Sequence, residues 1–202
     1  MKNSNNMYKS KTFMILSTTT VALLAVILAP TDAFADHTPF VGHFLPNGNA
    51  GLYFDCPSLS GLWVDHDWWG NCNTVKSEVQ DAMSTYNNLG NNIDLTTTSS
   101  HTDKLVYAEN MGIHGLLAAA SFPYTSDGYI RFNNMIHWST SNGCDYINGY
   151  NLEWTANHEL GHTVGLYHQK TPGENSVMVP SCTTSWSDVQ SHDKVVLDDK
   201  YP

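Results

Sequence analysis

Apolar and polar positions follow one another along the chain in patterns that predict both helices and strands. Between Thr74 and Leu89, apolar residues recur every three or four positions, which predicts an amphipathic helix with one face in the core. Asn73 or Thr74 can cap this helix, and Gly90 ends it. Short runs rich in β-branched or aromatic residues predict strands at residues 62–64, 93–98, 104–109 and 129–132.

Residues 115–120 have a composition that suits a helix or a strand, because alanine and leucine also favour helices. The segment is short, lies between Gly112 and Pro123 and precedes another predicted strand, so we expect a strand. Two further helices are predicted, one over about residues 150–164 and one over residues 187–197 with Ser187 as its cap. Three valines are candidates for the buried side of the last helix: Val189, Val195 and Val196.

The N-terminal residues 1–35 have the three parts of a secretory signal peptide. These parts are a basic region, an apolar core and a small-residue cleavage site: Lys2 to Lys11, Phe13 to Leu28, and Ala33 to Ala35. Cleavage after Ala35 would release an irregular lead-in at residues 36–51 and one domain at residues 52–202 to the outside of the cell, without stable membrane insertion. The alternative is an uncleaved signal anchor that holds the domain at the outer membrane face.

The charge of the chain argues against two classes of partner. The formal net charge is −10, and removal of the predicted signal peptide, which carries Lys2, Lys9, Lys11 and Asp32, makes it more negative. An acidic surface repels nucleic acid and anionic lipid, so neither is expected to bind. Solubility is the simplest reason for this charge, and we expect a monomer.

The histidines between residues 158 and 168 form the most specific pattern in the sequence. His158 and His162 are four apart on the predicted helix, so their imidazoles can share one metal ion while Glu159 lies on the adjacent face. His168 can join them only if the chain leaves the helix, and Gly165 allows this because glycine adopts left-handed conformations without strain. Three neutral imidazoles leave one position of a tetrahedral zinc open, which is typical of a catalytic site.

This pattern, H-E-x-x-H-x-x-G-x-x-H, is followed by Ser176-Val177-Met178-Val179-Pro180, which resembles a methionine turn. Together they resemble the metzincin zinc peptidases, and most closely the matrixin, or matrix-metalloprotease-like, branch. The resemblance implies an α+β, zincin-like fold. We therefore expect a twisted mixed five-stranded sheet with an antiparallel edge strand, a backing helix, the active-site helix and a C-terminal helix.

The resemblance also implies roles for residues around the predicted metal. Met178 would form a hydrophobic floor beneath the histidines, and Trp154 and Leu160 of the active helix are expected to face the core, opposite the ligands. An extended peptide would lie along the edge strand as an added strand. Its predicted contacts come from that strand and from the chain after Met178: Leu117, Ala118, Val179, Pro180 and Ser181.

Some positions depart from the matrixin pattern. By the resemblance, Val179, Pro180 and Ser181 would form one wall of the pocket for the residue after the scissile bond. Matrixins often have tyrosines near this wall, and Val179 and Cys182 depart from that pattern, so the depth of the pocket is open. Some metzincins use a tyrosine where this chain has Pro180, and Gln169 is unusual after the third histidine. Loops near Asp127 bind calcium in many matrixins, so a structural Ca²⁺ is an additional expectation. The histidines of a second, structural zinc do not line up, because alanines occupy residues 118–120.

Four cysteines in an exported chain suggest two disulfides, and three pairings are possible. We favour Cys56–Cys72 and Cys144–Cys182. The second pair would join the segment before the active helix to the segment after the methionine turn. A zinc or redox cluster is the alternative, but the chain contains no Cys-x-x-Cys spacing.

The leading hypothesis is a secreted zinc endopeptidase that hydrolyses peptide bonds of a protein or peptide substrate. One catalytic Zn²⁺ on His158, His162 and His168 would activate water, and Glu159 would act as the general base. One alternative is a catalytically silent, metal-dependent binding or adhesion module, against which the presence of Glu159 argues. Another is a zinc scavenger, but the ten histidines are scattered along the chain rather than clustered.

Overall fold

The structure, a computed structural model, describes residues 45–123, 128–141, 143–169, 175–185 and 188–202. The predicted signal peptide, most of the predicted lead-in, Asp127 and the predicted cap Ser187 lie outside these residues. The strands are β1 (Asn49–Phe54), β2 (Trp63–Val64), β3 (Asp94–Thr97), β4 (Lys104–Glu109), β5 (Ala118–Ala120), β6 (Tyr129–Asn133), β7 (His137–Ser139), β8 (Cys144–Asp145) and β9 (Gly149–Asn151). The helices are α1 (Cys56–Leu59), α2 (Cys72–Asn87), α3 (Leu152–Thr163) and α4 (Ser191–Lys200).

The main sheet has five strands in the order β3-β1-β4-β6-β5. The first four strands run parallel, and β5 pairs antiparallel with β6 at one edge. This arrangement confirms the predicted mixed five-stranded sheet with an antiparallel edge strand. Alternate residues of β1 and β4 are buried, which places one face of the sheet against the helices.

One member of the main sheet differs from the strands predicted from sequence. The sheet contains β1, whose first residues 49–51 were predicted to be irregular because Asn and Gly precede the apolar positions. The strand predicted at residues 62–64 is present as Trp63–Val64, and it pairs with β7 in a second sheet of order β2-β7-β9-β8. Pairing with distant strands decided both cases, and local sequence does not encode it.

Helix α2 confirms the amphipathic helix predicted over residues 74–89, although it begins two residues earlier. Its buried residues follow the predicted stripe: Val75, Val79, Ala82, Met83 and Tyr86. Asn71 precedes the helix, and its side-chain amide donates to the carbonyls of Leu62 and Asp67 instead of accepting from the first turn. The helix start is therefore tied to the chain before it.

Helix α4 begins later than predicted and buries different residues. Gln190 and Asp193 form a capping box at its start. Leu197 and Asp193 are buried, whereas Val195 is 55% exposed, so the predicted buried side was wrong for that valine. Val189 and Val196 are half-buried and pack against the core, as predicted, while the buried carboxylate of Asp193 has polar partners in the turn at Met178.

The two disulfides are Cys56–Cys72 and Cys144–Cys182, which is the favoured pairing. The first joins α1 to the start of α2, and the second joins β8 to the chain after Met178. No helix among the described residues is both long and apolar enough to cross a membrane.

Candidate functional site

The helix that carries the predicted ligands is buried almost all round. Asn151 caps α3 by accepting a hydrogen bond from the backbone N–H of Trp154. The hydroxyl of Tyr86 on α2 donates to the carbonyl of Asn157 at 2.7 Å. Gly161 faces the Met178 sulfur and the Tyr86 hydroxyl so closely that a Cβ at this position would clash with the sulfur. These contacts hold α3 against α2 and against the turn at Met178.

The chain leaves α3 at Thr163 and turns at Gly165. Gly165 has a φ of +102°, which favours glycine, and the N–H of Leu166 donates back to the carbonyl of Gly161 at 2.8 Å. This turn directs His168 back toward the helix that it has just left. Gly165 thus lies at the bend, where the sequence predicted an exit from the helix.

Three imidazoles converge beside this turn. The Nε2 atom of His168 lies 3.0 Å from Nε2 of His158 and 3.1 Å from Nε2 of His162. Among the described residues, these histidines are the one group of three or more metal-ligating side chains whose ligand atoms all lie within 4.8 Å. His101 and His114 are exposed, and neither belongs to this group.

Backbone carbonyls fix the tautomers of two of the rings. Nδ1 of His158 lies 2.8 Å from the carbonyl oxygen of Val177, and Nδ1 of His162 lies 2.8 Å from that of Leu166. A carbonyl can only accept, so each Nδ1 carries the proton and each Nε2 presents a lone pair to the centre. Hydrogen bonds of this kind from the outer ring nitrogen are typical of metal-binding histidines.

Burial keeps all three rings neutral. It lowers the pKa of His158 to about 3, assisted by the neighbouring His162. It lowers the pKa of His162 to about 4 and also lowers the pKa of His168. Neutral imidazole is the form that binds metal ions, so these side chains are in the required state near pH 7.

Glu159 lies between the histidines and the edge strand. Its side chain is 5% exposed, and Oε2 has no hydrogen-bond partner within the described part of the chain. Burial raises the pKa of Glu159 to about 8, although a hydrogen bond from the Ala120 backbone acts in the opposite direction. A carboxyl group whose pKa lies near neutrality can both accept and release a proton.

The turn that carries Met178 is held by the last helix. The Asp193 carboxylate of α4 accepts from the Ser176 hydroxyl at 2.5 Å and from the Val177 N–H at 2.9 Å. The Ser176 hydroxyl accepts in turn from the Met178 N–H, and Met178 is fully buried. Sequence analysis missed Asp193. An acidic residue in the first turn of a helix was its only signal, and that signal is common.

A cleft of about 410 Å³ opens beside the triad. Of the predicted substrate contacts, it includes Leu117, Ala118 and Pro180, whereas Val179 packs on the core and Ser181 is exposed. The remaining lining is largely apolar and was not named among the predicted substrate contacts: Leu116, Ala119, Ala120, Phe122, Trp154, Thr155 and Tyr167.

Trp154 is buried in the core as predicted, but it does not lie opposite the ligands. It lies one helical turn before His158, the two ring centroids are 5.2 Å apart, and the indole lines the cleft. Residues four apart lie on the same helical face, which explains the contact. On the opposite wall, Phe122 packs against both His162 and Tyr167 at 5.5 Å between ring centroids.

Comparison with known proteins agrees with this geometry. The Peptidase_M10 (matrixin) family model matches residues 74–201, which include α3, the turn at Met178 and α4. The chain is 37% identical to human matrix metalloproteinase-26 over 71 residues, covering 35% of this chain and 24% of that protein. The similarity thus spans about a quarter of the relative's length. On the family match, which covers more than half of its residues, the chain belongs to the matrixin family.

Proposed function

We propose that the protein is a secreted zinc-dependent endopeptidase, with His158, His162 and His168 as the metal ligands. The observation that carries the proposal is the convergence of three neutral imidazoles through their Nε2 atoms. A matrixin family match and two disulfides support an exported metallopeptidase. The signal-peptide pattern of residues 1–35 supports the secreted part of the proposal.

The donor set fits a zinc ion. With Nδ1 of His158 and of His162 protonated, two lone pairs point toward Nε2 of His168 at 3.0 and 3.1 Å. Nε2 of His168 can carry one proton at most, so it can donate a hydrogen bond to only one of the two other rings. In its second contact, two nitrogen lone pairs would face each other. A cation shared by the three nitrogens removes this repulsion. Three imidazoles with an open fourth position are a common ligand set of catalytic zinc.

When bound, zinc would supply a Lewis acid that polarises a peptide carbonyl and lowers the pKa of water. Glu159 is the base that would take the proton from that water and later deliver it to the leaving amine. In the metal-free chain burial raises the pKa of this carboxyl to about 8, and a zinc ion beside it would favour the carboxylate form that accepts the proton. The Ala120 N–H would hold the carboxylate in place beside the edge strand.

The edge strand is suited to orient the substrate. Ser121 and Asn133 donate backbone hydrogen bonds to Tyr129 and Leu117, respectively, so the backbones of Leu117 and Ser121 face β6. Backbone direction alternates along a strand, and Ala118 and Ala120 therefore point their backbone groups away from β6. An extended peptide could add to this edge, while the small alanine side chains leave room for it.

The test separates a peptidase from a silent metal-binding module. We expect the wild-type protein to contain about one zinc per chain and to cleave an unstructured polypeptide until a chelator is added. Glu159→Ala should keep the zinc and lose at least about a hundredfold in rate, because a general base contributes about 10²–10⁴. Full activity in this variant would contradict the assignment. Zinc-loaded wild type that cleaves nothing would favour the binding module.

A further inference from the structure

A second cluster of aromatic side chains lies on the four-stranded sheet, away from the three histidines of the metal site. Trp68 stacks on Trp63 with ring centroids 4.7 Å apart and planes 8° apart. Trp63 stacks in turn on His137 at 4.3 Å, and His66 lies 4.7 Å from His137. His137 is 1% exposed, whereas Trp68 is 53% exposed. The stack therefore begins at a buried histidine and ends at an indole ring that is exposed to solvent.

The stack is the centre of an exposed apolar surface. Trp69 is 84% exposed and follows Trp68 directly, and Ile147 is 80% exposed. Burial and the neighbouring His66 lower the pKa of His137. The Ile147 backbone lies next to this ring and partly offsets that lowering. We call Trp63, Trp68, Trp69 and Ile147 the aromatic patch. Large apolar groups gathered at a surface in this way mark interaction sites.

A strained turn sets the geometry of the patch. Val64 and Asp67 form an antiparallel bridge, so the two residues between them make the turn and place Trp63 opposite Trp68. Asp65 and His66 have φ values of +47° and +72°, where Asn-Gly is the usual sequence. Both carboxylate oxygens of Asp65 accept hydrogen bonds from Thr140, which fixes the turn to the end of β7.

The two chain segments that form the patch carry charge of one sign. Residues 63–69 and 137–150 contain three aspartates and no lysine or arginine. Asp67 is exposed and lies next to Trp68 in the chain, and the whole protein carries a net charge of −10. An indole face beside a carboxylate attracts guanidinium and ammonium groups, through the π-system and through the charge. The same field repels phosphate groups and other anions.

We propose that the aromatic patch docks an arginine- or lysine-bearing segment of a polypeptide, with the cation over the exposed face of Trp68 and Asp67 as its counter-ion. The sheet under the patch continues into the metal site, because β7 pairs with β9 and Asn151 of β9 caps α3. A segment docked here is thus held on the framework that carries the histidines. The proposal concerns binding, and it stands whether or not the metal site cleaves the docked chain.

Peptide binding to the full chain tests this assignment in the Glu159→Ala background, which prevents loss of the probe by cleavage. The probes are a fluorescent glycine-arginine peptide and the same peptide with glutamine for arginine, measured by anisotropy at low and at physiological salt. We expect the arginine peptide to bind at least about tenfold more tightly. Trp68→Ala should weaken binding about five- to tenfold, and Asp67→Asn about threefold.

Matched variants distinguish the patch from general electrostatics. Asp94 is an exposed aspartate on β3 in the main sheet, so Asp94→Asn makes the same charge change and should alter binding less than about twofold. If Trp68→Ala does not fold by circular dichroism, Trp69→Ala replaces it, because that side chain is 84% exposed.

Four results would overturn the proposal. They are equal affinity for the glutamine peptide, equal losses in the Asp67→Asn and Asp94→Asn variants, no binding of the arginine peptide up to millimolar concentration, and a wild-type dimer that Trp68→Ala converts to a monomer. The last result would assign the patch to a second copy of the chain.

Discussion

Replacement of Asp193 with asparagine should weaken the metal site although this side chain belongs to the last helix. The carboxylate is fully buried and accepts from the Ser176 hydroxyl, the Val177 N–H and the Gln190 N–H at 2.5, 2.9 and 3.1 Å. The carbonyl of Val177 in turn accepts from Nδ1 of His158. Asp193 is therefore two hydrogen bonds away from a predicted ligand.

The magnitude follows from the three bonds. In the better orientation, the asparagine oxygen would keep the two backbone N–H groups, and its amide nitrogen would face the Ser176 oxygen. Hydrogen bonds to charged groups contribute about 1.5–3 kcal/mol each, and neutral ones about 0.5–1.5 kcal/mol. Loss of the charge from three bonds predicts a fall of about 3 kcal/mol in the free energy of unfolding. Disturbance of the His158 partner predicts a ten- to hundredfold loss of zinc affinity.

Two assays check this prediction: denaturant unfolding of the metal-free protein and chelator competition for zinc. Asp198→Asn is the control in the same helix, because Asp198 is an exposed partner of Lys194. It should change the free energy of unfolding by less than about 1 kcal/mol and leave zinc affinity unaltered. If Asp193→Asn behaves like this control in both assays, the last helix does not support the metal site and the reasoning fails.

Three further predictions concern the bend, the acid limit and the second disulfide. Gly165→Ala should cost about 1–2 kcal/mol in thermal unfolding and reduce zinc content, because φ is +102° at this residue. Acidification should release zinc only below about pH 5, because the pKa values of His158 and His162 are lowered to about 3 and about 4 and protons then compete poorly with zinc for these rings. Metal analysis after dialysis across a pH series measures this release. Replacing Cys144 and Cys182 with serine should lower the free energy of unfolding by about 4 kcal/mol, because the bridge joins residues 38 apart. The same variant should raise KM more than it lowers kcat.

Each of these has a control within the same chain. Gly61→Ala meets nothing closer than 3.5 Å and should be nearly neutral in stability. Zinc release centred near pH 6.5 would show that the histidines titrate as exposed groups, against the effect of burial. Removal of the Cys56–Cys72 bridge should lower stability without raising KM, because it joins α1 to the start of α2, whereas Cys182 is two residues from Pro180 in the cleft wall. An equal rise in KM would contradict a local role for the second disulfide.

The parts of the fold that sequence predicted well are those with strong local signals. The stripe on α2 repeats over four turns, and burial on one face is its direct consequence. The edge strand was predicted from its length and its bounding residues, and the structure pairs it antiparallel as expected. Strand β1 was missed because its first residues are Asn49, Ala50 and Gly51, which become a strand only through partners on both sides.

The parts of the site that sequence did not predict depend on contacts between distant segments. Trp154 is in the core as predicted, but its place relative to the ligands was not, because α3 is surrounded on nearly every side and burial does not distinguish its faces. Asp193 could not be recognised, since its partners Ser176 and Val177 lie in another segment. The stack of Trp63 on His137 requires a pairing between strands far apart in the chain, which no local pattern reports.

The pairing of β2 with β7 has a consequence for the kinetics of folding. Trp63 lies opposite His137, so the small sheet cannot form until a long loop has closed. Helix α2 and the Cys56–Cys72 bridge, by contrast, join near neighbours and can form from a short stretch of chain. Folding slows as contacts become less local, and of the strand pairs in the described residues β2–β7 joins those farthest apart in sequence, so this sheet should form late. A nascent chain would therefore organise its central helix well before the cleft exists.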